Sequence, residues 1–289
     1  MADHLKKSGM AVLVGRSNVG KSTLLNTLVG TKVAITTPKP QTTRNVIQGV
    51  LNDDRGQVVF ADTPGIFTRV PDLLTSKLNE KAKDSLQGID VLLYVVDPTR
   101  HVGDEEQAVH RLVQGATCPK ILVINKCDLP EKERPFMDEF MAWKDEFNDV
   151  IEISAMDAQN IGALKKIIFS HLQNGEPLYP ADQITNMNEK FRMAEIIREK
   201  VFLGMREEVP YSVTVDVEEI VVRPNGVLYV KASVITTSPR YRKMLIGEGA
   251  RVIRGVGTAV RKELEAVTGQ KVFVDIDVIV DEKWQERFE

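Results

Sequence analysis

The chain has 289 residues and a mass of 32.3 kDa, a length that suggests two compact domains. Hydrophobic residues make up 43% and charged residues 27%, which excludes disordered, collagen-like and fibrous proteins. No apolar run reaches the roughly 18 residues of a membrane-spanning helix, and we expect no secretory leader.

The two cysteines form no disulfide framework or zinc motif, which fits the cytoplasm. A net charge of −3 confines any nucleic-acid surface to a local patch.

The first part of the chain alternates short apolar runs with longer helical patterns. Runs rich in β-branched residues are typical of strands buried on both faces of a parallel sheet, and they lie at 11–15, 58–65, 91–97, 121–128 and 150–155. Helical patterns lie between them at 22–29, 74–87, 103–114 and 161–172. This alternation predicts a doubly wound α/β domain over residues 1–175.

A different order of elements follows a predicted linker at 176–188, where prolines interrupt the pattern. Helical spacing at 189–204 precedes two alternating strands joined by a Pro-Asn-Gly turn. Two further helices and a last strand complete the chain, and these five elements lie at 212–222, 227–236, 239–246, 252–268 and 271–280. The α-β-β-α-α-β order predicts a second, smaller α+β domain over 189–289.

Residues 15–22 match the phosphate-binding pattern G-x-x-x-x-G-K-[ST] between a predicted strand and a predicted helix. In such a loop, glycines let backbone N–H groups face a phosphate, and the helix dipole points at the same anion. Lys21 is expected to neutralise the β- and γ-phosphates, and the Ser22 hydroxyl to bind Mg²⁺. The predicted phosphate-binding residues here are Gly15, Arg16, Ser17, Asn18, Val19, Gly20, Lys21, Ser22 and Thr23.

A second phosphate motif, Asp62-Thr63-Pro64-Gly65, follows the next apolar run. Its carboxylate is placed to reach Mg²⁺ through a water molecule, and its glycine N–H to sense a γ-phosphate. In the preceding loop, 36–44, one of the adjacent Thr42 and Thr43 should complete the metal shell, and the sequence alone does not choose between them. The candidate metal ligands are Ser22, Thr43 and Asp62. The phosphate-binding set extends to Thr42, Asp62, Thr63, Pro64, Gly65 and Ile66.

The base is predicted to be guanine. In Asn125-Lys126-Cys127-Asp128, the Asp128 carboxylate can accept hydrogen bonds from guanine N1–H and the 2-amino group, which adenine does not offer. The Lys126 stem would pack over the base, and the loop after the last strand would place a backbone N–H near guanine O6. The predicted guanine-binding residues are Asn125, Lys126, Asp128, Ser154 and Ala155.

The catalytic machinery departs from the commonest pattern, because Ile66 stands where many small GTPases carry a water-orienting glutamine. Hydrolysis is therefore expected to be slow without a further group. Asn18 either binds a K⁺ ion that supplies positive charge at the phosphates or stabilises the loop through an Asx turn, and the two interpretations weigh equally. The candidate catalytic residues are Asn18, Lys21, Thr43 and Gly65.

The motifs GRSNVGKST, PQTTR, DTPGI, NKCD and SA resemble the GTPase domain of the TrmE–Era group, in which a hydrophobic residue replaces the glutamine. The stretches YPADQIT, AEIIREK and IGEGARVIRGVGTAVRKELE resemble its ribosome-assembly members, and the similarity covers essentially the whole chain. The resemblance implies a Mg²⁺-dependent GTPase that converts GTP to GDP and ends in a type II KH domain. It also implies two partners, the 3′ end of 16S ribosomal RNA and the small (30S) ribosomal subunit.

KH domains hold single-stranded RNA with a Gly-x-x-Gly loop that lets the backbone approach the phosphates. Here the second glycine comes one place early, at Gly249, and the fourth position is Ala250, which restricts positive φ. Glu248 is the one acidic residue between 240 and 262, so the segment is a basic patch whose phosphate affinity should weaken with salt. The predicted RNA-binding residues are Arg240, Tyr241, Arg242, Lys243, Ile246, Gly247, Gly249, Ala250, Arg251 and Arg254.

Two functions remain open from the sequence. The first is a GTP-hydrolysing switch that binds ribosomal RNA in its GTP state and leaves after hydrolysis. The alternative is a GTP-dependent switch for protein partners or for the inner membrane surface, without RNA binding. We expect a monomer, located in the cytoplasm or peripherally on the cytoplasmic membrane.

Overall fold

The computed structural model describes residues 6–65 and 73–288, and contacts divide the chain into two compact units, Met1–Asn186 and Met187–Glu289. The described strands of the first unit are β1 (Lys7–Val14), β2 (Ile47–Asp53), β3 (Gly56–Asp62), β4 (Val91–Val96), β5 (Lys120–Ile124), β6 (Asp149–Glu152) and β7 (Gln173–Asn174). Its described helices are α1 (Lys21–Val29), α2 (Leu73–Asp84), α3 (Asp104–Gln114), α4 (Met137–Met141) and α5 (Ile161–His171).

The strands of the first unit form one sheet in the order β2-β3-β1-β4-β5-β6. β1, β3, β4, β5 and β6 run parallel, whereas β2 is antiparallel to β3 and β7 is antiparallel to β1. The predicted doubly wound fold is confirmed. Because the carboxyl ends of parallel strands meet at one edge of a sheet, the loops after β1, β3, β5 and β6 lie together there.

Helices cover both faces of this sheet, which is why its central strands are apolar throughout. All six residues of β4 have 0% exposure. Its alternate residues Leu92, Tyr94 and Val96 pack in one cluster with side chains from α2, α3 and α4. On the other face, α1 and α5 contact each other, and α1 packs against β1, β2 and β3.

The sheet includes two strands that the apolar pattern did not predict, β2 and the two-residue β7. β2 contains Gln48, Gly49, Asn52 and Asp53, so it lacks the continuous apolar run of its neighbours. The short helix α4 was likewise not predicted.

The segment predicted as a linker runs along β2. Up to Asn186, its residues group with the first unit. The Val50 N–H donates to Ile184 O at 2.9 Å, and the Asn186 side chain accepts from the Gln48 N–H at 3.0 Å. Tyr179 exchanges hydrogen bonds with the Gln57 amide at 2.8 and 2.9 Å. The segment thereby covers backbone groups that an edge strand would otherwise expose.

The second unit has the predicted α-β-β-α-α-β order. Its helices and strands are α6 (Glu189–Gly204), β8 (Val213–Val222), β9 (Leu228–Thr236), α7 (Pro239–Ile246), α8 (Arg251–Thr268) and β10 (Val272–Val280). β9 lies between an antiparallel β8 and a parallel β10. Apolar residues of α6 and α8 pack on this sheet, among them Ile197, Val201, Val260 and Leu264. Among residues 6–65 and 73–288, no helix is long and apolar enough to cross a bilayer.

Gly56 closes the β2–β3 hairpin at a place where no side chain fits. Its φ is +142°, and a Cβ there would lie 1.8 Å from Lys7 O. Gly56→Ala should therefore destabilise the first unit by more than ~2 kcal/mol. Gly162→Ala on α5, where a Cβ meets nothing within 4 Å, should stabilise it by ~0.5 kcal/mol and is the matched control.

Urea unfolding measures both changes. The two tryptophans, Trp143 and Trp284, lie one in each unit, so a Trp284→Phe background makes fluorescence report the first unit alone. Equal unfolding midpoints for the Gly56→Ala and Gly162→Ala variants would contradict the close approach to Lys7.

Candidate functional site

The loop between β1 and α1 curls so tightly that two of its glycines have no room for a side chain. A Cβ on Gly15 would lie 2.3 Å from Val95 O. Gly20 has a φ of +102°, and a Cβ there would lie 2.3 Å from the Asn125 amide nitrogen. Asn18 also has a positive φ of 64°, and its Nδ2 donates to Pro38 O at 2.8 Å. The loop therefore has the tight curl that a phosphate cradle requires, and Asn18 links it to the loop at 36–44.

Lys21 lies inside this cradle. Its Nζ donates to Gly15 O at 2.8 Å and to Arg16 O at 2.7 Å, and the residue is 6% exposed. Burial lowers the pKa of Lys21 to about 8, against the opposing charges of Asp62 and Glu106. A bound phosphate would add negative charge and hold the ammonium protonated.

The three predicted metal ligands converge from three different elements. Ser22 Oγ donates to Asp62 Oδ2 at 2.5 Å, Thr43 Oγ1 donates to the same oxygen at 3.2 Å, and the two hydroxyl oxygens are 2.9 Å apart. Asp62 is fully buried, which raises the pKa of its carboxyl group. Within the described residues, its Oδ1 has no hydrogen-bond partner. A buried carboxylate oxygen without a partner, beside two hydroxyls, suits Mg²⁺, which prefers oxygen ligands.

The geometry favours Thr43 over Thr42 as the metal ligand. Thr42 Oγ1 is used within its own loop, donating to Lys39 O at 2.7 Å and lying 2.6 Å from Thr37 Oγ1. Thr43 instead points to Asp62. Adjacent threonines are alike in sequence, so only the turn of the loop separates their roles.

The second phosphate motif packs directly against the first. A Cβ on Gly65 would lie 2.9 Å from both the N and the Cα of Ser17, so the Gly65 backbone touches the loop after β1. Thr63 Oγ1 donates to Leu13 O at 2.9 Å and anchors the motif beside β1. Ile66 lies outside the described residues, and its consequence for hydrolysis stays a prediction.

One cavity is lined by several of these residues. Predicted residues lining it are Ser17, Asn18, Gly20, Lys21, Ser22, Thr23, Thr42, Thr43 and Gly65. Its wall also includes residues that were not predicted as ligands, namely Ile35, Thr36, Thr37, Pro38 and Gln41. The one signal for them was their position between two phosphate motifs. Arg16 contributes its backbone to the cradle, but its side chain pairs with Glu106.

The predicted guanine residues lie at the same edge of the sheet. The Asn125 amide donates to Val19 O and accepts from the Ala155 N–H, both at 2.9 Å. Asn125 thus ties the phosphate loop to the Ser154–Ala155 loop. Lys126 Nζ lies 2.5 Å from Asp97 Oδ2, and the Asp128 side chain is in an exposed position.

In the second unit, the loop between α7 and α8 keeps a tight geometry despite its altered glycine pattern. A Cβ on Gly247 would lie 2.5 Å from Val252 Cγ2, so glycine is required there. Gly249 and Ala250 both adopt left-handed conformations, with φ of 56° and 61°. The predicted restriction at Ala250 is therefore overcome, at a cost of about 1 kcal/mol for an alanine in this region.

A groove beside α8 gathers basic, small and apolar side chains. It is lined by Ile253, Arg254, Gly257, Thr258, Arg261, Phe273, Val274 and Ile276. Arg254 was predicted as an RNA ligand; the β10 residues were not. The sequence signal for this groove was the helical spacing of Arg254, Thr258 and Arg261, which are three to four residues apart and so share one face of α8.

Other predicted RNA ligands lie elsewhere on the unit. Arg242 Nε donates to Val278 O at 2.8 Å, and the half-buried Tyr241 and Ile246 pack against the core. Exposed basic residues remain around the loop, namely Arg240, Lys243 and Arg251.

Phe273 is part of a cluster of aromatic side chains next to this groove. Phe273 is 51% exposed and stacks on Tyr229, with ring centroids 6.0 Å apart. The Arg223 guanidinium lies 4.0 Å from the Tyr229 ring centroid. Exposed aromatic rings beside arginines are a typical platform for stacking single-stranded bases.

Together, the phosphate cradle, the oxygen cluster and the α-β-β-α-α-β unit define a P-loop GTPase with a KH domain. The family models agree: residues 10–126 match the 50S ribosome-binding GTPase family and residues 208–285 match the KH domain. GTPase Era from Halothermothrix orenii is 39% identical over 282 residues, covering 97% of this chain and 95% of that protein. GTPase Era from Trichlorobacter lovleyi is also 39% identical, covering 99% and 97%. The chain belongs to the GTPase Era family.

Solved structures support the same assignment. A variant of Era from Aquifex aeolicus bound to GDP.AlF4⁻ matches with a TM-score of 0.91 and 37% identity, covering 97% of this chain and 96% of that one. Era in complex with MgGDPNP and nucleotides 1506–1542 of 16S ribosomal RNA matches with a TM-score of 0.91 and 36% identity, covering 98% and 96%. The predicted family, fold class and GTPase activity are confirmed.

The lowered pKa of Lys21 predicts that nucleotide binding depends on pH. At pH 8 the free ammonium is half deprotonated, and binding an anion restores its proton, so GDP binding should take up about half a proton. Above that pH the affinity should fall by up to about tenfold per unit.

Calorimetry in buffers of different ionisation enthalpy measures this uptake, with EDTA present so that Asp62 binds no metal. Lys165→Gln is the matched control, because burial also lowers the pKa of Lys165, which faces Asp53 and Arg55. Binding heats that do not depend on the buffer would contradict the role of Lys21.

Proposed function

We propose that this protein is a GTP-driven switch that binds the 3′ end of 16S ribosomal RNA and acts on the small (30S) ribosomal subunit in the cytoplasm, as a monomer. The observation that supports it most is the groove that Arg254, Arg261 and Phe273 line between α8 and β10. Its positive charge suits phosphates and its exposed ring suits unstacked bases. The related Era structure that holds nucleotides 1506–1542 of this RNA covers 98% of the chain.

In this proposal, the first unit holds GTP or GDP along the loop after β1. Backbone N–H groups and Lys21 contact the phosphates, and Ser22 and Asp62 hold Mg²⁺, with Thr43 joining in the GTP state. Bound Mg²⁺ neutralises phosphate charge. Asn125, Lys126 and the exposed Asp128 hold the base.

The proposed conformational switch between the GTP and GDP states uses residues of the same site. Thr43 and Gly65 belong to segments that the γ-phosphate orders and that loosen after hydrolysis. Asn18 Nδ2 already bonds to Pro38 O in the first of these segments, which leaves its Oδ1 for a K⁺ ion. RNA shifts this equilibrium only if it binds one of the two arrangements better.

RNA recognition is tested by filter binding of nucleotides 1506–1542 of 16S ribosomal RNA with GDPNP and Mg²⁺ at several salt concentrations. Changing both Arg254 and Arg261 to alanine should lower the affinity, and should reduce the slope of log K against log salt by about 0.7 for each phosphate that is no longer neutralised. Arg206→Ala, at an exposed position of the same unit outside the groove, is the control and should change neither value.

Absence of RNA binding by the unmodified chain in both nucleotide states would contradict the proposal. It would favour the alternative, a switch for protein partners or the inner membrane surface.

Base selection is tested separately with Asp128→Asn. An asparagine amide no longer accepts both guanine N–H groups but can donate to the 2-carbonyl of xanthine, so GDP affinity should fall about 100-fold while xanthosine diphosphate gains affinity. Asp145→Asn, at another exposed position of the same unit, is the control. Calorimetry with both nucleotides measures the exchange, and unchanged GDP affinity in Asp128→Asn would rule out this role for Asp128.

A further inference from the structure

The connection from β4 into the first turn of α3 belongs to none of the nucleotide motifs, yet it touches two of them. We propose that four of its residues, Asp97, Arg100, His101 and Glu106, form a brace that positions the phosphate loop and the base motif for GTP. Glu106 is its central positioning residue. This inference rests on the GTPase activity alone and is independent of RNA binding.

The first contact of the brace is a buried ion pair with the phosphate loop. Glu106 has 0% exposure, and its Oε2 lies 2.5 Å from Arg16 Nε. Its Oε1 accepts a hydrogen bond from Tyr94 Oη at 2.6 Å, so the carboxylate is held from the sheet as well. Arg16 is 4% exposed, and its Nη1 also donates to His101 O at 3.3 Å. The Arg16 side chain is therefore directed into the protein and away from solvent.

This ion pair leads directly to the phosphate-binding lysine. The Arg16 carbonyl oxygen accepts from Lys21 Nζ at 2.7 Å. A displacement of Arg16 therefore moves an oxygen that orients the Lys21 ammonium. Burying an ion pair is a poor way to gain stability, because the desolvation of both charges offsets their attraction. Its position at the phosphate loop indicates that the ion pair holds the loop in the geometry that orients Lys21.

The second contact fixes the next residue of the loop. Arg100 Nη1 donates to Ser17 O at 3.0 Å, and Arg100 is exposed. Ser17 is also the residue against which Gly65 packs. The brace thus holds two consecutive residues of the loop, one through its side chain and one through its carbonyl.

The third contact reaches the base motif. Asp97 has 0% exposure, and its Oδ2 lies 2.5 Å from Lys126 Nζ. Its other oxygen accepts from the Thr99 N–H at 3.0 Å and the Thr99 hydroxyl at 2.7 Å, which fixes the carboxylate. Asp97 therefore orients the lysine stem that is to pack over guanine.

The two ends of the brace predict different defects. Glu106→Gln removes the charge that holds Arg16, so kcat for GTP and the affinity for inorganic tripolyphosphate should each fall about tenfold. Asp97→Asn releases Lys126, so GDP affinity should fall about tenfold while tripolyphosphate affinity stays unchanged. Single-turnover hydrolysis and calorimetry on the full chain measure these values.

Asp104→Asn is the matched control for the helix. It removes a negative charge from the same first turn of α3 without touching the loop after β1, and should leave all three values unchanged. The proposal is overturned if Glu106→Gln behaves as this control does. It is also overturned if Glu106→Gln changes only the urea midpoint, with kcat and affinities per folded molecule intact.

A second variant keeps the test decisive if Glu106→Gln does not fold. Arg100 is exposed, so Arg100→Gln should fold normally, and losing its bond to Ser17 O should lower kcat and tripolyphosphate affinity about threefold. Arg111→Gln, further along α3 at an exposed position, is its control. Values for Arg100→Gln equal to those of the control would overturn the proposal.

Discussion

The nucleotide site of the first unit depends on two buried ionisable groups, the Lys21 ammonium and the Asp62 carboxylate. Burial disfavours the ionised form of both groups, lowering the pKa of Lys21 and raising that of Asp62. A phosphate beside the lysine and a cation beside the carboxylate favour the ionised forms again. The two groups therefore suit an anion and a cation bound together, and the energy of binding both would offset the cost of burying the charges.

The surrounding contacts hold these charges in place. Gly15 and Gly20 let the loop approach the ends of β4 and β5, and the Asn125 amide joins that loop to Ala155. In the proposed brace, Glu106 adds a further restraint on this loop through Arg16. Because these contacts join segments that follow different strands, the parallel sheet is the rigid frame on which the nucleotide site depends.

In the second unit, the loop between α7 and α8 keeps a tight backbone geometry although one glycine of the usual pattern is replaced by alanine. Ala250 stands where the usual pattern has glycine, and it keeps a left-handed conformation because its N–H bonds to Gly247 O at 3.1 Å and α8 begins at the next residue. These contacts outweigh the local preference of alanine. The neighbouring groove adds charge and aromatic surface from α8 and β10.

The sequence was most informative where function requires consecutive residues. The phosphate loop, the Asp62 motif and the Asn125 motif are each a few residues long and follow continuous apolar strands, so their chemistry and their positions at strand ends could be predicted. It was less informative for β2, whose polar residues hide its strand character, and for the segment before Asn186 that covers it. Thr42 and Thr43 could not be distinguished, because their roles depend on which hydroxyl the loop turns toward Asp62.

The amino-acid sequence alone therefore determined the fold class through hydrophobic periodicity and the identity of the nucleotide through local motifs, and the resemblance of those motifs to known GTPases indicated the family. Tertiary structure decided which distant side chains meet. Glu106 and Arg16 are 90 residues apart, and Phe273 joins Arg254 only when β10 packs beside α8. Such pairs leave no local pattern, because their contact is created by the packing of the whole domain.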